Sequence, residues 1–515
     1  MRRLFFALLA ILAAPVQAQA QTESQREAST AALFDRVAAQ PARLRVFLQA
    51  MPKGGDLHNH LWGQPTAEQF LAWGGDAGLC VSRAKLAIVA CTEKDSVPAQ
   101  GLGRRDEKLY SALIDSLSTR GRAQGLGVND VTGHDDFFDT FDRFAPAAIA
   151  VPGAMLASAR TSAARGHVAY LELMQDPGAM VQAGILGAKG PWNPADFDAA
   201  YRRIAPALPG LIDSAVAEVD AMEKDAIGLL GCATQKPYRG ACAVTVRYQP
   251  FALRSQSPGF VFGQLALAFA LVEKDPRFVG VNIVAPEDGA VAVADFDLHM
   301  AMFRYFSARH PDVKKAIHAG ELDIGLVPPA ALDNHIRRSV EVAGANRIGH
   351  GVAIAYEEDA PALLACMARD RIAVEINLTS NAMILGVKGA RHPLALYRAA
   401  GVPVVLSTDD EGVSRSDMTN EYLRAATEQG LRYADLKSMA RASLEYSFLP
   451  GASLWQDGKV GTRAAACRMG TAPAQDAPPA GPCATLIATS EKAAAQWRLE
   501  ADYRVFESSI GALPF

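Results

Sequence analysis

Histidines and an aspartate in three separate segments could together bind a metal ion. His58 and His60 lie two residues apart in DLHNHLWG, and residues i and i+2 of a strand point to the same face. His318 begins HAGE and Asp409 lies in LSTDDE, each at the end of an apolar run typical of a strand. Three imidazoles and one carboxylate match the ligands of zinc and leave a position for water. The sequence therefore predicts a catalytic site with one zinc ion per chain, although each motif alone is common by chance.

Two further titratable residues could carry the protons that such a site must move. Glu321 lies three residues after His318, and His350 ends the segment RIGH. A metal ion lowers the pKa of bound water towards about 7, so that a nearby base can take its proton while an acid protonates the group under attack. His350 suits the first role and Glu321 the second. The alternative for His350 is an orienting or structural role.

The elements that position these residues follow a repeating pattern. Eight strand-like runs occur at residues 56–61, 168–173, 244–249, 278–284, 314–321, 347–354, 372–380 and 402–411. Most are separated by amphipathic or Ala/Leu-rich segments long enough for a crossover helix, which predicts a parallel sheet. Eight units predict an α/β fold with a (β/α)8 TIM-type barrel, whose catalytic groups gather at the carboxyl ends of the strands. The alternative is an open doubly wound sheet, but no G-x-G-x-x-G turn follows an early strand.

The remaining segments lie outside the repeat. Arg2 and Arg3, an apolar run at 4–16 and small residues up to Ala20 predict a cleaved signal peptide at 1–20, and hence a secreted or periplasmic protein. The pattern favours this division of the rest: an N-terminal helical segment at 21–50, the barrel at 51–450 with a Gly-rich insertion at 64–133, and a loop and helix extension at 451–515.

The composition restricts the classes of partner. The chain of 515 residues has 51 Lys and Arg against 55 Asp and Glu, and half of its residues are hydrophobic. Such a chain can bury a large core, and without clustered cations we expect no nucleic-acid partner. The apolar stretch at 261–272 is too short to cross a bilayer, so we expect no membrane partner after signal removal. A small molecule is the expected ligand, and the sequence leaves a homodimer open.

Seven cysteines are informative in an oxidising compartment. Six form pairs that are close in sequence and lie in loop-like segments, which predicts disulfides Cys80–Cys91, Cys232–Cys242 and Cys467–Cys483. Cys366 lies in LLACMARD, an apolar helical pattern, and is expected to be a buried free thiol.

The motifs MPKGGDLHNHLWG, HAGE, RIGHGV, NLTSN and STDDE, in this order, resemble the adenosine deaminase family of the metal-dependent amidohydrolase superfamily. The cysteine-bearing insertion and the segment SLEYSFLP at 443–450 are similar to its extracellular adenosine deaminase growth factor branch. The resemblance implies hydrolysis of adenosine, and of 2′-deoxyadenosine, to inosine or deoxyinosine and ammonia. It also implies these roles: zinc ligands His58, His60, His318 and Asp409, Glu321 as the acid at purine N1, His350 as the base on the attacking water, and Asp410 as the partner of purine N7.

Three positions bear on substrate recognition. Trp62 stands where many family members have an aspartate that contacts the sugar 5′-hydroxyl, and tryptophan cannot accept that hydrogen bond. The family segment D-L-A-G-D/E reads NIVAPE here, so that Ala285 replaces the glycine that approaches the purine but keeps its backbone N–H. Phe138 either lines the purine pocket or belongs to the core face of an amphipathic helix.

Two alternative functions remain beside adenosine deamination. The same metal site could act on another aminopurine, a 5′-substituted adenosine or an amide. A protein of another class, a catalytically weak nucleoside-binding or extracellular interaction protein, could retain the scaffold. The complete set of candidate ligands, acid and base disfavours this last alternative, because a degenerate site should have lost at least one member.

Overall fold

Strands in the middle and at the end of the chain alternate with helices. The structure is a computed structural model that describes residues 22–120, 132–235, 240–468 and 479–512, so the predicted signal peptide at 1–20 lies outside the described residues. The strands are β1 Gly54–His60, β2 Cys80–Ser82, β3 Ala87–Val89, β4 Ser96–Pro98, β5 Val168–Met174, β6 Thr245–Gln249, β7 Phe251–Leu253, β8 Asn282–Val284, β9 Ala316–Ala319, β10 Arg347–His350, β11 Ala373–Ile376 and β12 Val404–Leu406.

The helices supply the crossovers and the additions at both ends. They are α1 Glu23–Val37, α2 Pro41–Ala50, α3 Ala67–Asp76, α4 Leu102–Arg105, α5 Glu107–Ser116, α6 Gly133–Ala150, α7 Pro152–Arg165, α8 Gly178–Ala188, α9 Phe197–Ile204, α10 Leu208–Leu229, α11 Pro258–Lys274, α12 Ala290–Ala294, α13 Phe296–Ser307, α14 His335–Glu341, α15 Ala360–Asp370, α16 Leu378–Ile384, α17 Leu394–Ala399, α18 Met418–Glu428, α19 Tyr433–Glu445, α20 Pro482–Thr489 and α21 Glu491–Ser509.

Parallel pairing closes the strands into a barrel. β1, β5 and β6 pair in that order, β7 pairs with β8, and β9 to β12 pair in sequence order. A parallel bridge between Val281 and Lys315 joins β8 to β9, and one between Asn59 and Asp409 joins β1 to the end of β12. The ring is therefore complete. The predicted (β/α)8 barrel is confirmed, and the open-sheet alternative is wrong because the first and last strands pair with each other.

All eight predicted runs contain barrel strands, but from residue 278 onwards the strands are shorter than the runs. Residues 402–411 contain only Val404–Leu406, and residues 372–380 only Ala373–Ile376 because α16 begins at Leu378. The third run also continues beyond its predicted end. Pro250, which has no N–H to donate, divides that barrel strand into β6 and β7.

The insertion after β1 contains regular structure where the sequence indicated a Gly-rich segment. Its strands form a small antiparallel sheet in the order β3-β2-β4, flanked by α3, α4 and α5. At the chain ends, α1, α2 and α21 pack through aromatic rings, with Phe47 in edge contact with Phe34 and Phe506. The apolar stretch at 261–272 lies in α11, whose side chains are largely buried. Within the part of the chain described here, no helix is long and apolar enough to cross a membrane.

The cysteine predictions are confirmed for the three pairs and wrong for the exposure of the seventh. Disulfides join Cys80 to Cys91, Cys232 to Cys242 and Cys467 to Cys483. Cys366 is free, but it is only half-buried, and its Sγ lies 3.4 Å from Asp370 Oδ2. The reason is its place on α15, where Leu363, Leu364 and Met367 form the buried face and Cys366 lies at its edge.

This arrangement predicts the thiol count. We expect one titratable thiol per chain in unfolded, unreduced protein and seven after reduction, measured with a chromogenic disulfide reagent. Replacing Cys366 by Ser should remove the single thiol, whereas replacing Cys467 by Ser should add one by freeing Cys483. Three or more thiols in the unreduced wild type would contradict the pairing.

Candidate metal centre and active site

The predicted metal ligands come together at one end of the barrel. His58 and His60 lie in β1, His318 in β9, and Asp409 follows β12. One nitrogen or oxygen atom from each of the four lies within 4.8 Å of the others. His58, His318 and Asp409 are buried, and His60 is half-buried. The carboxyl ends of three strands thus bring together side chains that are up to 351 residues apart in the sequence.

The facing atoms of this cluster have the chemistry of a cation site. His60 Nε2 lies 3.2 Å from His318 Nε2 and 3.3 Å from Asp409 Oδ1. His58 Nε2 is buried, has no hydrogen-bond partner among the described residues, and lies 3.4 Å from Asp409 Oδ1. Nitrogen lone pairs that face one another and a carboxylate are satisfied together by a cation between them. The residues therefore fit a divalent metal ion with nitrogen and oxygen ligands.

Outer hydrogen bonds orient two of the imidazoles for this purpose. His58 Nδ1 lies 2.7 Å from Glu375 Oε2, and His318 Nδ1 lies 2.9 Å from Asn282 Oδ1. Each oxygen accepts a hydrogen bond, so each Nδ1 carries the proton and each Nε2 directs a lone pair into the cluster. Burial and the neighbouring imidazoles hold the pKa of His318 well below its ordinary value, which keeps this ring neutral as a ligand must be.

A buried arginine connects these outer partners beneath the cluster. Arg347 Nε donates to Glu375 Oε1 and its NH2 donates to Glu172 Oε2, both at 2.5 Å. The guanidinium also lies 3.7 Å from the centre of the Phe448 ring. No motif of the sequence singles out Arg347 or Glu375. The signal that would have identified them is a charged residue inside an apolar barrel strand, because a buried charge needs a partner.

Glu321 lies beside the cluster as a buried carboxylic acid. Glu287 Oε2 accepts a hydrogen bond from the Glu321 backbone N–H at 2.8 Å, and Glu287 Oε1 accepts from Gly320 N–H and from His335. Burial first, and then the negative charges of Asp409 and Glu287, raise the pKa of Glu321 well above its ordinary value. The side chain is therefore protonated at neutral pH and can act as an acid.

His350 lies beside the cluster: its ring centre is 4.8 Å from that of His58 and 5.2 Å from that of His318, and its Nδ1 is 3.5 Å from Glu321 Oε1. Burial lowers the pKa of His350 to about 3, so the ring is neutral. His392 Nε2 donates to Asn381 Oδ1 at 3.0 Å, because His392 Nδ1 already accepts from the Leu394 N–H. The amide nitrogen of Asn381 then faces His350 Nδ1 at 3.0 Å. The proton of His350 is thereby placed on Nε2, which favours an orienting role over that of a base.

Asp410 has an unsatisfied carboxyl oxygen at the same end of the barrel. Its Oδ1 is buried without a hydrogen-bond partner among the described residues. Burial and then the charge of Asp409 raise the pKa of Asp410 well above its ordinary value, so this group can donate a hydrogen bond to a ring nitrogen. A Cβ atom at Gly63 would lie 1.7 Å from Asp410 Oδ1, so only glycine fits there. The sequence analysis did not identify Gly63.

Strained backbone marks three positions at this end of the barrel. His350 has a φ of 66°, Asp409 a φ of 59° and Ala285 a φ of 85°, all in the left-handed region that disfavours a side chain. Such strain is retained where the surrounding structure fixes the conformation, as at functional sites. Ala285 is the residue that the sequence analysis aligned with a family glycine, and its positive φ is the reason why glycine would be favoured there.

The other predicted substrate contacts lie near the strand ends without touching the cluster. Trp62 is half-buried against the main core, and Phe138 on α6 is in edge contact with Phe137 at 5.1 Å and with His134 at 4.9 Å. His134 Nε2 lies 3.1 Å from Asp288, which connects α6 to the segment after β8. In the described part of the chain, the rings of Trp62 and Phe138 contact no imidazole of the cluster, so their substrate contacts stay predictions.

Comparison with known proteins shows which family the chain resembles. The adenosine deaminase family model matches residues 209–454, which include His318, Glu321, His350, Asp409 and Asp410. Over these residues the chain is similar to the adenosine deaminase family. It is 28% identical over 179 residues to an adenosine deaminase of Clostridium kluyveri, a match that covers 35% of this chain and 48% of that relative. The chain thus spans about half the length of the curated relatives it matches. Its place in the extracellular branch of the adenosine deaminase family stays a prediction.

Solved structures share the fold of this protein. An amidohydrolase from Burkholderia ambifaria, solved with bound Zn, is 19% identical with a TM-score of 0.52, and the match covers 79% of this chain and 88% of that one. An adenine deaminase from Arthrobacter aurescens is 16% identical with a TM-score of 0.51, covering 78% of this chain and 94% of that one. At these identities the likeness establishes the barrel fold and no more.

The cluster predicts the effect of removing one ligand. Asp409→Ala should lower the metal affinity by more than the roughly 10–100-fold that loss of an outer partner causes, because a direct ligand is lost. Metal content of the purified variant, measured by mass spectrometry after dialysis, is the readout. Asp312→Ala, which removes an exposed carboxylate, serves as the control. Equal metal content in the Asp409 variant and the wild type would remove Asp409 from the ligand set.

The buried histidines predict a loss of stability in acid. Burial lowers the pKa of His392 to about 3, whereas the unfolded residue takes up a proton near pH 6.5. The unfolded state therefore binds more protons between these values, and stability is lost as the pH falls through this range. For one such histidine the loss between pH 7 and pH 5 is up to about 2 kcal/mol. Urea unfolding of His392→Gln should show a smaller difference between these two pH values than the wild type, and an equal difference would show that His392 is not the cause.

Proposed function

We propose that this protein is a zinc-dependent hydrolase that deaminates adenosine and 2′-deoxyadenosine to inosine or deoxyinosine, with release of ammonia. The observation that carries the proposal is the position of Glu321, a carboxylic acid that burial keeps protonated, beside the cluster of His58, His60, His318 and Asp409. The match of residues 209–454 to the adenosine deaminase family model supports the same reaction.

The reaction needs an acid because the purine ring must accept electrons. When water attacks C6 of a neutral purine, the ring nitrogen N1 must be protonated, or the developing negative charge has no stable position. The Glu321 carboxyl group supplies this proton. The Asp410 carboxyl group, also protonated, donates a hydrogen bond to N7 and fixes the plane of the base.

The four candidate metal ligands and His350 would together prepare the attacking water. A divalent zinc ion held by His58, His60, His318 and Asp409 would lower the pKa of a water and so supply the nucleophile. His350 directs its Nε2 towards Asp409, with 3.9 Å between Nε2 and Asp409 Oδ2. From this position His350 orients the attacking water through a hydrogen bond. The role of His350 as a base stays a prediction. Asn381 donates to Nδ1, the nitrogen of His350 that could accept a proton.

A second candidate function uses the same site on another aminopurine or on an adenosine altered at its 5′ position. Trp62 favours this candidate, since it offers no acceptor for a sugar hydroxyl. The methyl group of Ala285 at a positive φ also changes the surface that would face a purine. A catalytically weak nucleoside-binding or interaction protein is disfavoured by the intact set of buried acids and candidate ligands.

We further propose that the protein works outside the cytoplasm, in the periplasm or secreted. The charged, apolar and small-residue order of positions 1–20 supports this location, and so do three disulfides, since cysteines pair in oxidising compartments. A homodimer is compatible with this proposal.

The decisive experiment combines a substrate panel with one conservative variant. Wild-type protein should release ammonia from adenosine, with turnover of 2′-deoxyadenosine and weaker or no turnover of adenine and AMP. Glu321→Gln should keep its metal and lose at least about 100-fold in turnover, because the proton donor is removed. Glu358→Gln, which changes an exposed carboxylate, should match the wild type.

Three other outcomes of this experiment would each contradict part of the proposal. Turnover of AMP or adenine without turnover of adenosine would replace the proposed substrate by the second candidate. Turnover near the wild-type value in Glu321→Gln on the best substrate would show that the acid is another residue. Metal-loaded protein that is inert on every member of the panel would contradict the proposed reaction.

A further inference from the structure

A cavity of about 610 Å³ lies on the far side of the segment that carries Asp410. It is bounded by α3, by α7 and by residues 411–416. None of the candidate metal ligands lines it, and neither does Asp410. Glu411, the next residue along the chain, does line it. The two neighbouring carboxyl groups therefore serve different compartments, and the cavity is not part of the proposed active site.

Glu411 is a buried carboxylate without a cationic partner. It is 91% buried, and its Oε1 accepts hydrogen bonds from Gln64 Nε2 at 3.2 Å and from the Ser162 hydroxyl group. Among the described residues its Oε2 has no hydrogen-bond partner, and Glu411 forms no ion pair. A buried carboxylate is costly in free energy unless a positive charge or several donors compensate it, and burial accordingly raises the pKa of Glu411 to about 7. Glu411 Oε2 therefore has space beside it in the cavity for a positively charged group.

The other groups of the cavity define what could provide that charge. Two arginines also line the cavity. The Arg415 guanidinium is already paired with both oxygens of Glu68, at 2.9 and 3.1 Å, and Arg165 is exposed at the end of α7. Gln64 Oε1 is buried without a partner among the described residues and could accept a hydrogen bond. Trp73 and Leu229 form an apolar wall. A hard metal ion prefers several carboxylate ligands, and Glu411 is the only carboxyl group among the residues that line the cavity.

We propose that this cavity is a second ligand site, which binds a small organic cation. The ligand's ammonium or amidinium group donates hydrogen bonds to Glu411 Oε2 and Gln64 Oε1, and its apolar body lies against Trp73 and Leu229. The volume lies within the 300–1,000 Å³ typical of small-molecule sites. Glu411 and Gln64 are held in place by the tight packing of their segments, because a Cβ atom at Gly412 would lie 2.1 Å from Pro65 O.

The test uses metal-loaded, full-length mature protein and benzylamine, which is a cation at pH 7, with benzyl alcohol as its neutral analogue. Binding is measured by calorimetric titration. Glu411→Gln removes the charge but keeps the shape, and Ala154→Phe fills the cavity from α7 without changing any charge. Asp76→Asn removes one negative charge from the exposed end of α3, outside the cavity, and controls for the net charge of the protein.

We expect benzylamine to bind the wild type and Asp76→Asn alike, and benzyl alcohol to bind neither at the same concentrations. Glu411→Gln should weaken benzylamine binding by at least about 10-fold, because a charge-assisted hydrogen bond is lost. Ala154→Phe should abolish it. The proposal is overturned if benzylamine does not bind the wild type at millimolar concentration, or if either cavity variant binds it as the wild type does. If Glu411→Gln fails to fold, as seen by circular dichroism, Ala154→Phe alone decides between these outcomes.

Discussion

The pairing of the first and last barrel strands is the constraint on which the rest of the structure depends. The backbone N–H of Asp409 donates to His58 C=O at 2.8 Å, and the N–H of His60 donates to Asp409 C=O at 3.1 Å. The hydrogen bonds that close the barrel are thus made by three of the candidate metal ligands themselves. Closure and ligand geometry cannot vary independently, and the left-handed φ of Asp409 is held by the same contacts.

Charged and polar side chains surround the junction of β1 and β12 in successive shells. Nitrogen atoms and one carboxylate face the centre, Glu375 and Asn282 hold the outer nitrogens, and Arg347 connects Glu375 to Glu172 beneath them. The neighbouring imidazoles keep Asp409 ionised: burial alone would raise the pKa of Asp409, but the rings of His58 and His60 beside its carboxylate hold this pKa well below its ordinary value. Glu321 and Asp410 have no such donors, so burial keeps them protonated. Asp409 and its neighbour Asp410 thereby acquire opposite protonation states, as acid catalysis beside a metal site requires.

This chain departs from the adenosine deaminase pattern in residues assigned to substrate contact. Trp62 and Ala285 differ from that pattern, whereas every candidate ligand and acid is present. The residues assigned to the reaction therefore match the family pattern more closely than the residues assigned to substrate selection. Asn282 contributes an uncharged oxygen to His318 where the family pattern has a carboxylate, so the metal site carries one negative charge fewer.

The sequence by itself predicted the barrel and the four candidate ligands that the structure brings together, because apolar strand-like runs and short motifs such as DLHNHL and STDDE are local patterns. It also determined the disulfides, whose partners lie only 10 to 16 residues apart. The tertiary structure alone decided the outer shell. Arg347 and Glu375 act across strands distant in sequence, and no spacing rule connects them to the ligands that they support. Whether Cys366 is covered, and whether Glu411 faces the cluster or a separate cavity, depends on which face a neighbouring helix or segment packs against. Such facts follow from packing, which a single sequence does not display.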